Sequence, residues 1–446
     1  GPSRAVVAPR PRRSRPAEPR PRTAMESSTT KPGVTVMIPL GGIGSRFQKE
    51  GYLRPKPFIN VIGRPMLLWV LDNLQLGPDD LLVVVYDPTF LKPKFWPLIT
   101  DKYPGLKRVE LAGPTRGAAE TVLLGLQALS PTERKRPVVL CDGDTFYTAD
   151  VVGRYRKVAA EGRHGVFWFE DTQPKAIYSY VQLDGEGLVA DVKEKVKISD
   201  CANSGCYCFA SGTRLQAECE ALLSSGERQL SQDQVGEFYT SGVIKRMVDA
   251  GEPFAGLELS PQDFHVLGTP SQVEAFCQRW PEHPKARFCF DLDHTLVTAP
   301  RVSGDYTTCE PIPENIRMVQ ALHAQGHYVI VATARRMRTH KGNVAAVVAD
   351  VGALTLAQLR QFGVPYDEIT FGKPWAHFYV DDLGVDALGD LSKQTGYYFP
   401  SASLAGGKPR PTLSGTTMAA TARALPGAPG EGDWARALAC FAAGAA

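Results

Sequence analysis

The residues best suited to chemistry in this 446-residue sequence fall into two groups, one in each half of the chain. The first group is a glycine-rich run at 41–47 (GGIGSRF), followed by Lys56 between two prolines. Glycines at a strand-to-helix junction let backbone N–H groups approach phosphate oxygens closely. Arg46 and Lys56 add positive charge for the same oxygens. These residues predict a site that holds several phosphate groups.

The second group consists of four short elements in the order DxDxT, Thr, Lys and DD. Asp291 and Asp293 are two residues apart at the end of an apolar run, so strand alternation places both on the same side. One carboxylate can attack phosphorus, the other can exchange a proton with the leaving oxygen, and the pair suits a magnesium ion. The other members are the Thr333 hydroxyl, the Lys373 cation and the carboxylates of Asp381 and Asp382.

Alternating strands and helices must position the first group. Apolar runs at 34–40, 81–86 and 138–141 predict buried strands, and the pattern at 118–129 predicts a helix between two of them. This alternation favours an α/β fold with a largely parallel sheet covered on both faces. A part richer in strands is expected at 165–210, where glycine and aspartate separate short apolar runs.

A second β/α series must position the second group. The Pro-rich segment 281–287 predicts a linker, and strands are expected at 288–290, 328–332 and 377–380. The carboxyl ends of these strands would carry the aspartates, the threonine and the DD pair. Residues 401–446 are rich in Ala, Gly, Pro and Ser and predict a disordered tail.

The first group resembles the signature of the sugar-1-phosphate nucleotidyltransferase family, which is GxGxR, then PKP, then GxPM. The resemblance implies a Rossmann-like, GT-A-like domain over 33–280, with 1–32 as a disordered extension. It also implies transfer of a nucleotidyl group from an NTP to a phosphorylated acceptor, with release of pyrophosphate and with Arg46 and Lys56 as catalytic residues. The nucleotide-binding residues that it implies are Leu40, Gly41, Gly42, Gly44, Ser45, Gly117, Ala118, Glu120 and Asp142.

The same resemblance assigns the magnesium ion to Asp144. The acceptor-binding residues that it implies are Glu194, Lys195 and Asn203. One position departs from the family pattern, because Val266 stands where many members carry a second metal-binding aspartate. Asp263 or Asp142 could take its place. The alternative is a degenerate domain that senses nucleotides without turnover, within a regulatory protein.

The second group resembles the haloacid dehalogenase superfamily over 288–400. Its local sequence is similar to a branch labelled capsule-biosynthesis phosphatases. The resemblance implies a Rossmannoid domain in which Asp291 is the nucleophile and Asp293 the acid/base. Thr333 and Lys373 would stabilise the phosphoryl group. The magnesium ligands that it implies are Asp291, Asp293, Asp381 and Asp382. The short spacings between the elements predict a minimal cap, so the site is open or is closed by a second copy of the chain or by the transferase domain.

A basic stretch follows Thr333. It comprises Arg335, Arg336, Arg338, His340 and Lys341. Two interpretations are open: the stretch binds a second phosphate or a nucleotide product, or it is a solvated helix face.

Composition limits the classes of partner. The formal net charge of +3 is modest and predicts no bulk attraction to nucleic acid, and no apolar run is long enough to span a bilayer. The nine cysteines include no CxxC pair, which predicts reduced thiols. Residues 1–24 carry seven arginines against one acidic residue. They are either an organelle-targeting segment or a disordered extension of a cytoplasmic protein.

Together these features predict a bifunctional, magnesium-dependent enzyme in which a nucleotidyltransferase precedes a phosphatase. The favoured acceptor is a sugar phosphate, while phosphocholine-like and phosphonate acceptors stay open. The nucleobase also stays open, as does whether the phosphatase acts before or after transfer.

Overall fold

A computed structural model describes residues 33–42, 44–89, 95–230, 236–280, 283–381 and 383–399. The extension at 1–32 and the tail at 401–446, both predicted to be disordered, lie outside the described residues, as does part of the predicted linker.

Strands and helices alternate through most of the described chain. The strands are β1 (Thr35–Leu40), β2 (Asn60–Val61), β3 (Arg64–Pro65), β4 (Leu81–Tyr86), β5 (Lys107–Glu110), β6 (Val138–Cys141), β7 (Thr145–Tyr147), β8 (His164–Glu170), β9 (Ser179–Leu183), β10 (Val189–Glu194), β11 (Cys201–Phe209), β12 (Gln229–Leu230), β13 (Gly236–Glu237), β14 (Phe254–Glu258), β15 (Phe264–Val266), β16 (Arg287–Asp291), β17 (Tyr328–Ala332) and β18 (Glu368–Thr370). The α-helices are α1 (Ser45–Lys49), α2 (Met66–Asp72), α3 (Pro97–Thr100), α4 (Ala118–Gln127), α5 (Pro131–Arg134), α6 (Val151–Ala159), α7 (Gly212–Ser225), α8 (Thr240–Asp249), α9 (Pro270–Arg279), α10 (Pro313–Ala324), α11 (Val344–Val347), α12 (Ala353–Gln361) and α13 (Leu391–Thr395). Short 3₁₀ helices occupy Lys56–Phe58 and Tyr306–Thr308, and a π-helical turn occupies Val348–Gly352.

The N-terminal region (33–280) is built on a nine-stranded mixed sheet. Its main path runs β10-β9-β11-β6-β1-β4-β5, and β8 pairs with both β11 and β14. The part formed by β6, β1, β4 and β5 is parallel, whereas β11 pairs antiparallel with β6, β8 and β9. The predicted strands at 34–40, 81–86 and 138–141 are confirmed, and so is the strand-rich part that follows them.

Both faces of this sheet are covered, as the continuous apolar run of β1 predicts. Val36 and Ile38 point into one core, which the apolar sides of α2, α6 and α9 complete. Met37 points into the opposite core, which contains buried residues of α4, α7 and α8. Because β1 is buried on both faces, its carboxyl end is fixed, and the glycine run begins at that end.

The C-terminal region (283–399) contains a smaller parallel sheet in the order β16-β17-β18. Asp291 is the last residue of β16 and lies opposite Ala332 of β17. The predicted strands at 288–290 and 328–332 are therefore confirmed. The predicted strand at 377–380 is wrong, because this segment joins no ladder and Phe378 and Val380 are 86% and 100% exposed. Apolar alternation predicts a strand, but a strand also needs a hydrogen-bonding neighbour.

The two regions pack against each other, and the described residues from Gly33 onward form one compact unit. One buried apolar cluster includes Phe47 and Tyr52 of the N-terminal region together with Phe290 and Tyr398 of the C-terminal region. Within the part of the chain that the structure describes, no helix has the length and apolarity needed to cross a membrane.

Candidate functional sites

The glycine run links the end of β1 to the start of α1. Gly44 has a φ of +68°, and a Cβ atom there would lie 2.9 Å from the Cβ of Lys56. Only glycine therefore lets the run pass over the stem of Lys56. Leu40 is buried beneath the run, while Gly42, Ser45 and Arg46 are exposed above it. The run thus places backbone and an arginine on an accessible edge of the sheet.

Lys56 lies at the centre of this edge. It begins the 3₁₀ helix Lys56–Phe58, and its Nζ forms an ion pair with Oδ2 of Asp144. Asp144 follows β6, which is the parallel neighbour of β1. The two side chains meet because the carboxyl ends of adjacent parallel strands lie at the same edge. Each side chain is 23% exposed, so both are open to a ligand.

Asp142 adds a second carboxylate close to Asp144. Burial, together with the charges of Asp144 and Glu194, raises the pKa of Asp142 to about 8 against the opposing effect of Lys56. The backbone N–H of Asp142 donates to the carbonyl of Gly205 at 3.0 Å, which fixes the residue at the sheet edge. This crowding of negative charge is an environment that a divalent cation would relieve.

The structure separates the two residues considered as replacements for the aspartate missing at Val266. Val266 pairs with Thr145 in the β15–β7 ladder, directly beside Asp144. Asp263 lies at the far end of that ladder, where its Oδ2 accepts the N–H of Ser260 at 2.8 Å. Asp263 is therefore engaged in a turn, and Asp142 is the carboxylate that lies with Asp144.

The loop before α4 is held by contacts with the segment before α8. The N–H of Ala119 donates to the carbonyl of Phe238 at 2.9 Å, and the N–H of Phe238 donates to the carbonyl of Arg116 at 3.1 Å. Glu120 accepts hydrogen bonds from Arg116, which lowers the pKa of Glu120. Gly117 and Ala118 lie between these anchors, so the predicted nucleobase loop is fixed at both ends.

The predicted acceptor-binding residues lie on β10, just after it, and on β11. Burial raises the pKa of Glu194, whose Oε2 accepts the hydroxyl of Ser241 at 2.7 Å. Lys195 donates to the hydroxyl of Tyr239 at 3.0 Å and lies over that ring. Asn203 is buried; its Oδ1 accepts the N–H of Gly205, while its Nδ2 has no hydrogen-bond partner among the described residues. Such an unpaired buried donor is suited to an acceptor oxygen of a ligand.

In the C-terminal region, Asp291 meets Lys373 at the ends of β16 and β18. Nζ of Lys373 donates to Oδ2 of Asp291 at 2.7 Å, and the N–H of Leu292 donates to Oδ1 at 2.8 Å. Asp291 is 33% exposed and Lys373 is 21% exposed at their side chains. The predicted nucleophile and the predicted cation are therefore adjacent and accessible.

Asp293 is paired with Arg335. Nε of Arg335 lies 3.0 and 3.1 Å from the two carboxylate oxygens, and Nη1 donates to Thr355 and Gln358. Burial raises the pKa of Asp293, and the charge of Asp291 adds to the rise, against the opposing effect of Arg335. A carboxyl group with a raised pKa is suited to donate a proton.

The remaining predicted members of this site differ in exposure. Thr333 is fully buried at the end of β17, and its Oγ1 accepts the N–H of Arg335 at 3.1 Å. Asp381 is exposed and its Oδ1 accepts the N–H of Leu383, whereas Asp382 lies outside the described residues. Among the side chains that the structure describes, no three His, Cys, Asp or Glu residues gather as a metal-binding group.

The basic residues after Thr333 do not lie on one face. Arg335 is neither exposed to a ligand nor part of a solvated helix face, so both interpretations are wrong for this residue. The Arg335 side chain is fully buried against Asp293. Arg336 and His340 both pair with Asp350, and Arg338 lies over the ring of Trp375. The segment forms turns in place of the expected helix, and its charges are distributed over separate carboxylates and a ring.

Comparisons with known proteins bear on the N-terminal region. The MobA-like NTP transferase domain matches residues 36–238, which contain the glycine run, Lys56 and the Asp142–Asp144 pair. Residues 36–238 are therefore similar to a MobA-like NTP transferase domain. A solved nucleoside-diphosphate-sugar pyrophosphorylase from Vibrio cholerae RC9 is 21% identical, with a TM-score of 0.46, over 54% of this chain and 98% of that chain.

Two curated relatives share more identity over shorter stretches. The 2-C-methyl-D-erythritol 4-phosphate cytidylyltransferase of Hahella chejuensis is 38% identical over 78 residues, which is 18% of this chain and 30% of the relative. The enzyme of the same name from Pseudoalteromonas atlantica is 33% identical over 102 residues, which is 23% of this chain and 41% of the relative. This chain therefore spans less than half the length of either relative.

Sequence reasoning missed two residues that shape these sites. Tyr239 holds Lys195, and Asn315 of α10 donates from Nδ2 to the carbonyls of Thr295 and Ala387 at 2.8 and 3.1 Å. Asn315 is buried within an otherwise apolar helix side, and a buried amide of this kind needs hydrogen-bonding partners. An asparagine among apolar positions of a helix indicates a buried hydrogen bond. The sequence does not show the partners, because Thr295 and Ala387 are 20 and 72 residues away.

Proposed function

We propose that the transferase domain moves a nucleotidyl group from an NTP to a phosphorylated small molecule, with a sugar phosphate as the favoured acceptor. The observation that supports this most strongly is the meeting of Lys56 with Asp144 beneath the glycine run. We also propose that the C-terminal region hydrolyses a phosphate ester of the same pathway through Asp291.

In the transfer step, an oxygen of the acceptor phosphate attacks the α-phosphorus of the NTP. The bond from that phosphorus to the bridging oxygen breaks, and pyrophosphate leaves with the electron pair. Exposed backbone of the glycine run and Arg46 would bind the triphosphate, while Lys56 would neutralise charge as it develops. Lys195 and the unpaired Nδ2 of Asn203 would hold the acceptor.

A magnesium ion fits beside Asp144 and Asp142. Burial and the neighbouring charge of Asp144 raise the pKa of Asp142, and a bound cation would favour its ionised form; Asp144 is accessible. When bound, the ion supplies positive charge to the phosphates. Asp142 and Asp144 would hold it together with phosphate oxygens, since the described protein side chains offer no third carboxylate group there.

In the proposed phosphatase, a carboxylate oxygen of Asp291 attacks phosphorus and the ester bond breaks. Asp293 gives its proton to the leaving oxygen and later takes one from the water that hydrolyses the aspartyl phosphate. Lys373 balances the charge around Asp291. A magnesium site with Asp381 and Asp382 stays a prediction, because the described residues bring only Asp291 and Asp293 together.

Pyrophosphate release tests the transferase proposal. The full chain would be assayed with CTP, UTP, GTP and dTTP against sugar phosphates, phosphocholine and a phosphonate. At least one pair is expected to give turnover, and Lys56→Ala should lower its kcat by about 10²–10³-fold through loss of a charge at the reacting phosphates. Lys157→Ala, which removes an exposed lysine on α6, is the matched control. No turnover with any pair, or an unchanged kcat in Lys56→Ala, would contradict the proposal.

Val266 favours a second candidate, in which the domain binds nucleotide without turnover. The position beside Asp144 is apolar, so that part of the site offers no second carboxylate. Calorimetric binding of an NTP without pyrophosphate release from any acceptor would support this candidate.

A further inference from the structure

We propose that residues 391–399, here called the C-terminal brace, position Lys56 and the glycine run for nucleotidyl transfer. This inference rests on the proposed transferase function. It means that a segment of the C-terminal region positions residues of the N-terminal site.

The brace first contacts the hairpin formed by β2 and β3, which follows the Lys56–Phe58 helix almost directly. Three hydrogen bonds join them: the N–H groups of Ile62 and Gly63 donate to the carbonyls of Gly396 and Thr395 at 3.0 and 2.9 Å, and Nδ2 of Asn60 donates to the carbonyl of Gln394 at 2.8 Å. A two-stranded hairpin of this length is not stable alone. The brace therefore fixes the segment that leads out of the Lys56 turn.

The brace also reaches the segment after the glycine run. The hydroxyls of Tyr398 and Tyr52 share a buried hydrogen bond of 2.6 Å. Tyr52 packs edge-on against Phe47 of α1, with ring centres 5.1 Å apart, and Lys56 Nζ lies 5.7 Å from the centre of the Phe47 ring. Lys393 donates to the carbonyl of Glu50 at 2.8 Å. Both phosphate-binding segments are thus held by one piece of chain.

The brace is itself anchored in the C-terminal region. Tyr397 packs edge-on against Phe288 of β16 and against His327, with ring centres 5.2 and 5.0 Å away. The side-chain amide of Gln394 exchanges two hydrogen bonds with the backbone of Asp386, each of 2.7 Å. Movement of the C-terminal sheet would therefore be transmitted to the hairpin after Lys56.

Gly396 offers a specific way to loosen the brace. It ends α13 with a φ of +76°, and a Cβ atom there would lie 2.3 Å from the carbonyl oxygen of Asn60 and 2.8 Å from the nitrogen of Ile62. Gly226 ends α7 with a φ of +75°, and no atom lies within 4 Å of its added Cβ. Alanine at either site carries the same backbone strain, but only at Gly396 does it push against the hairpin.

The experiment compares full-length Gly396→Ala with full-length Gly226→Ala. Pyrophosphate release by Gly396→Ala is expected to show a kcat about tenfold lower, with KM for the NTP within about twofold, because small misplacements of catalytic groups mainly slow the reaction. Hydrogen–deuterium exchange of 59–66 should be faster in Gly396→Ala, since Ile62 and Gly63 donate to the brace. Gly226→Ala should match the wild-type enzyme in kcat and in exchange of this segment.

Equal kcat and equal exchange in the two variants would overturn the inference while leaving the proposed function intact. If Gly396→Ala fails to fold, Tyr398→Phe replaces it; this variant loses one buried hydroxyl and should lower kcat at a temperature where it is fully folded, with a modest fall in thermal midpoint. A kcat of Tyr398→Phe equal to the wild-type value would overturn the inference. Absence of pyrophosphate release from the wild-type enzyme would instead refute the proposed function.

Discussion

The ion pairs at the two sites differ in burial. Lys56 and Asp144 are each about a quarter exposed, so a ligand can replace one partner of the pair. Arg335 is fully buried against Asp293, and its Nη1 donates to Thr355 and Gln358. The first pair is therefore open to a ligand, whereas the buried guanidinium of the second fixes the position of its carboxylate. Each pair consists of a basic residue and an aspartate that follow strand ends. Such pairs look alike in sequence but can differ in role.

The two regions also differ in how many of their predicted site residues the structure brings together. In the N-terminal region, β1 and β6 are hydrogen-bonded neighbours, so the residues that follow them converge. In the C-terminal region, β16, β17 and β18 bring Asp291, Asp293, Thr333 and Lys373 to one end of the sheet. The segment with Asp381 pairs with no described strand and lies apart. A predicted site assembles only as far as its strands pair.

Of the two ion pairs, the larger stability effect is expected from Arg335→Met. This variant removes the buried guanidinium, which leaves Thr355 and Gln358 without their hydrogen-bond donor and the 22% exposed Asp293 without its partner. The free energy of unfolding should fall by about 1–3 kcal/mol. Arg338→Met removes an exposed arginine from the same segment and should change it little. Thermal and urea unfolding would measure the free energy of unfolding of both variants and of Lys56→Ala. Because the Lys56–Asp144 pair is accessible to water, Lys56→Ala should change this free energy little. Equal destabilisation by Arg335→Met and Lys56→Ala would contradict the distinction between the two pairs.

An intermediate effect is expected from Val266→Asp, which restores a carboxylate beside Asp144. The magnesium concentration that gives half-maximal pyrophosphate release should fall by about tenfold, because another charged ligand strengthens the site. Val196→Asp, at a position that is 55% exposed, controls for the added charge. A magnesium titration identical to that of the wild-type enzyme would show that this position does not contribute to the metal site.

A pH-dependent effect on stability is expected at Asp142. Its pKa is raised to about 8 in the folded chain, so ionisation destabilises the fold as pH rises from about 4 to 8. Asp142→Asn mimics the protonated form. Without magnesium, its thermal midpoint should match that of the wild type near pH 4 and exceed it increasingly towards pH 8. A difference that is constant across this range would refute the raised pKa of Asp142.

Sequence was sufficient for features encoded locally. Apolar runs located β1, β4, β6, β16 and β17, and the glycine run and the DxD pair located the two sheet edges. The spacing of 377–380 was misleading, since local alternation does not reveal whether a neighbouring strand is available. The burial of Arg335 was missed because its partners, Thr355 and Gln358, are 20 and 23 residues away.

Contacts between remote segments account for the rest. Tyr398 and Tyr52 are separated by 346 positions, and nothing in either neighbourhood indicates that they meet. Asp142 and Asp263 could be ranked as metal ligands only after the β15–β7 ladder showed which of them lies with Asp144.

The claim that one chain carries two separate catalytic sites is tested most directly by a crossed comparison of Lys56→Ala and Asp291→Asn. Pyrophosphate release from an NTP and a phosphorylated acceptor, and phosphate release from a chromogenic aryl phosphate, would be measured for both variants in the same preparations. Lys56→Ala should lose only pyrophosphate release, and Asp291→Asn should lose only phosphate release, with Glu314→Gln unchanged in both. Phosphate release at the wild-type rate in Asp291→Asn, or pyrophosphate release at the wild-type rate in Lys56→Ala, would contradict the account.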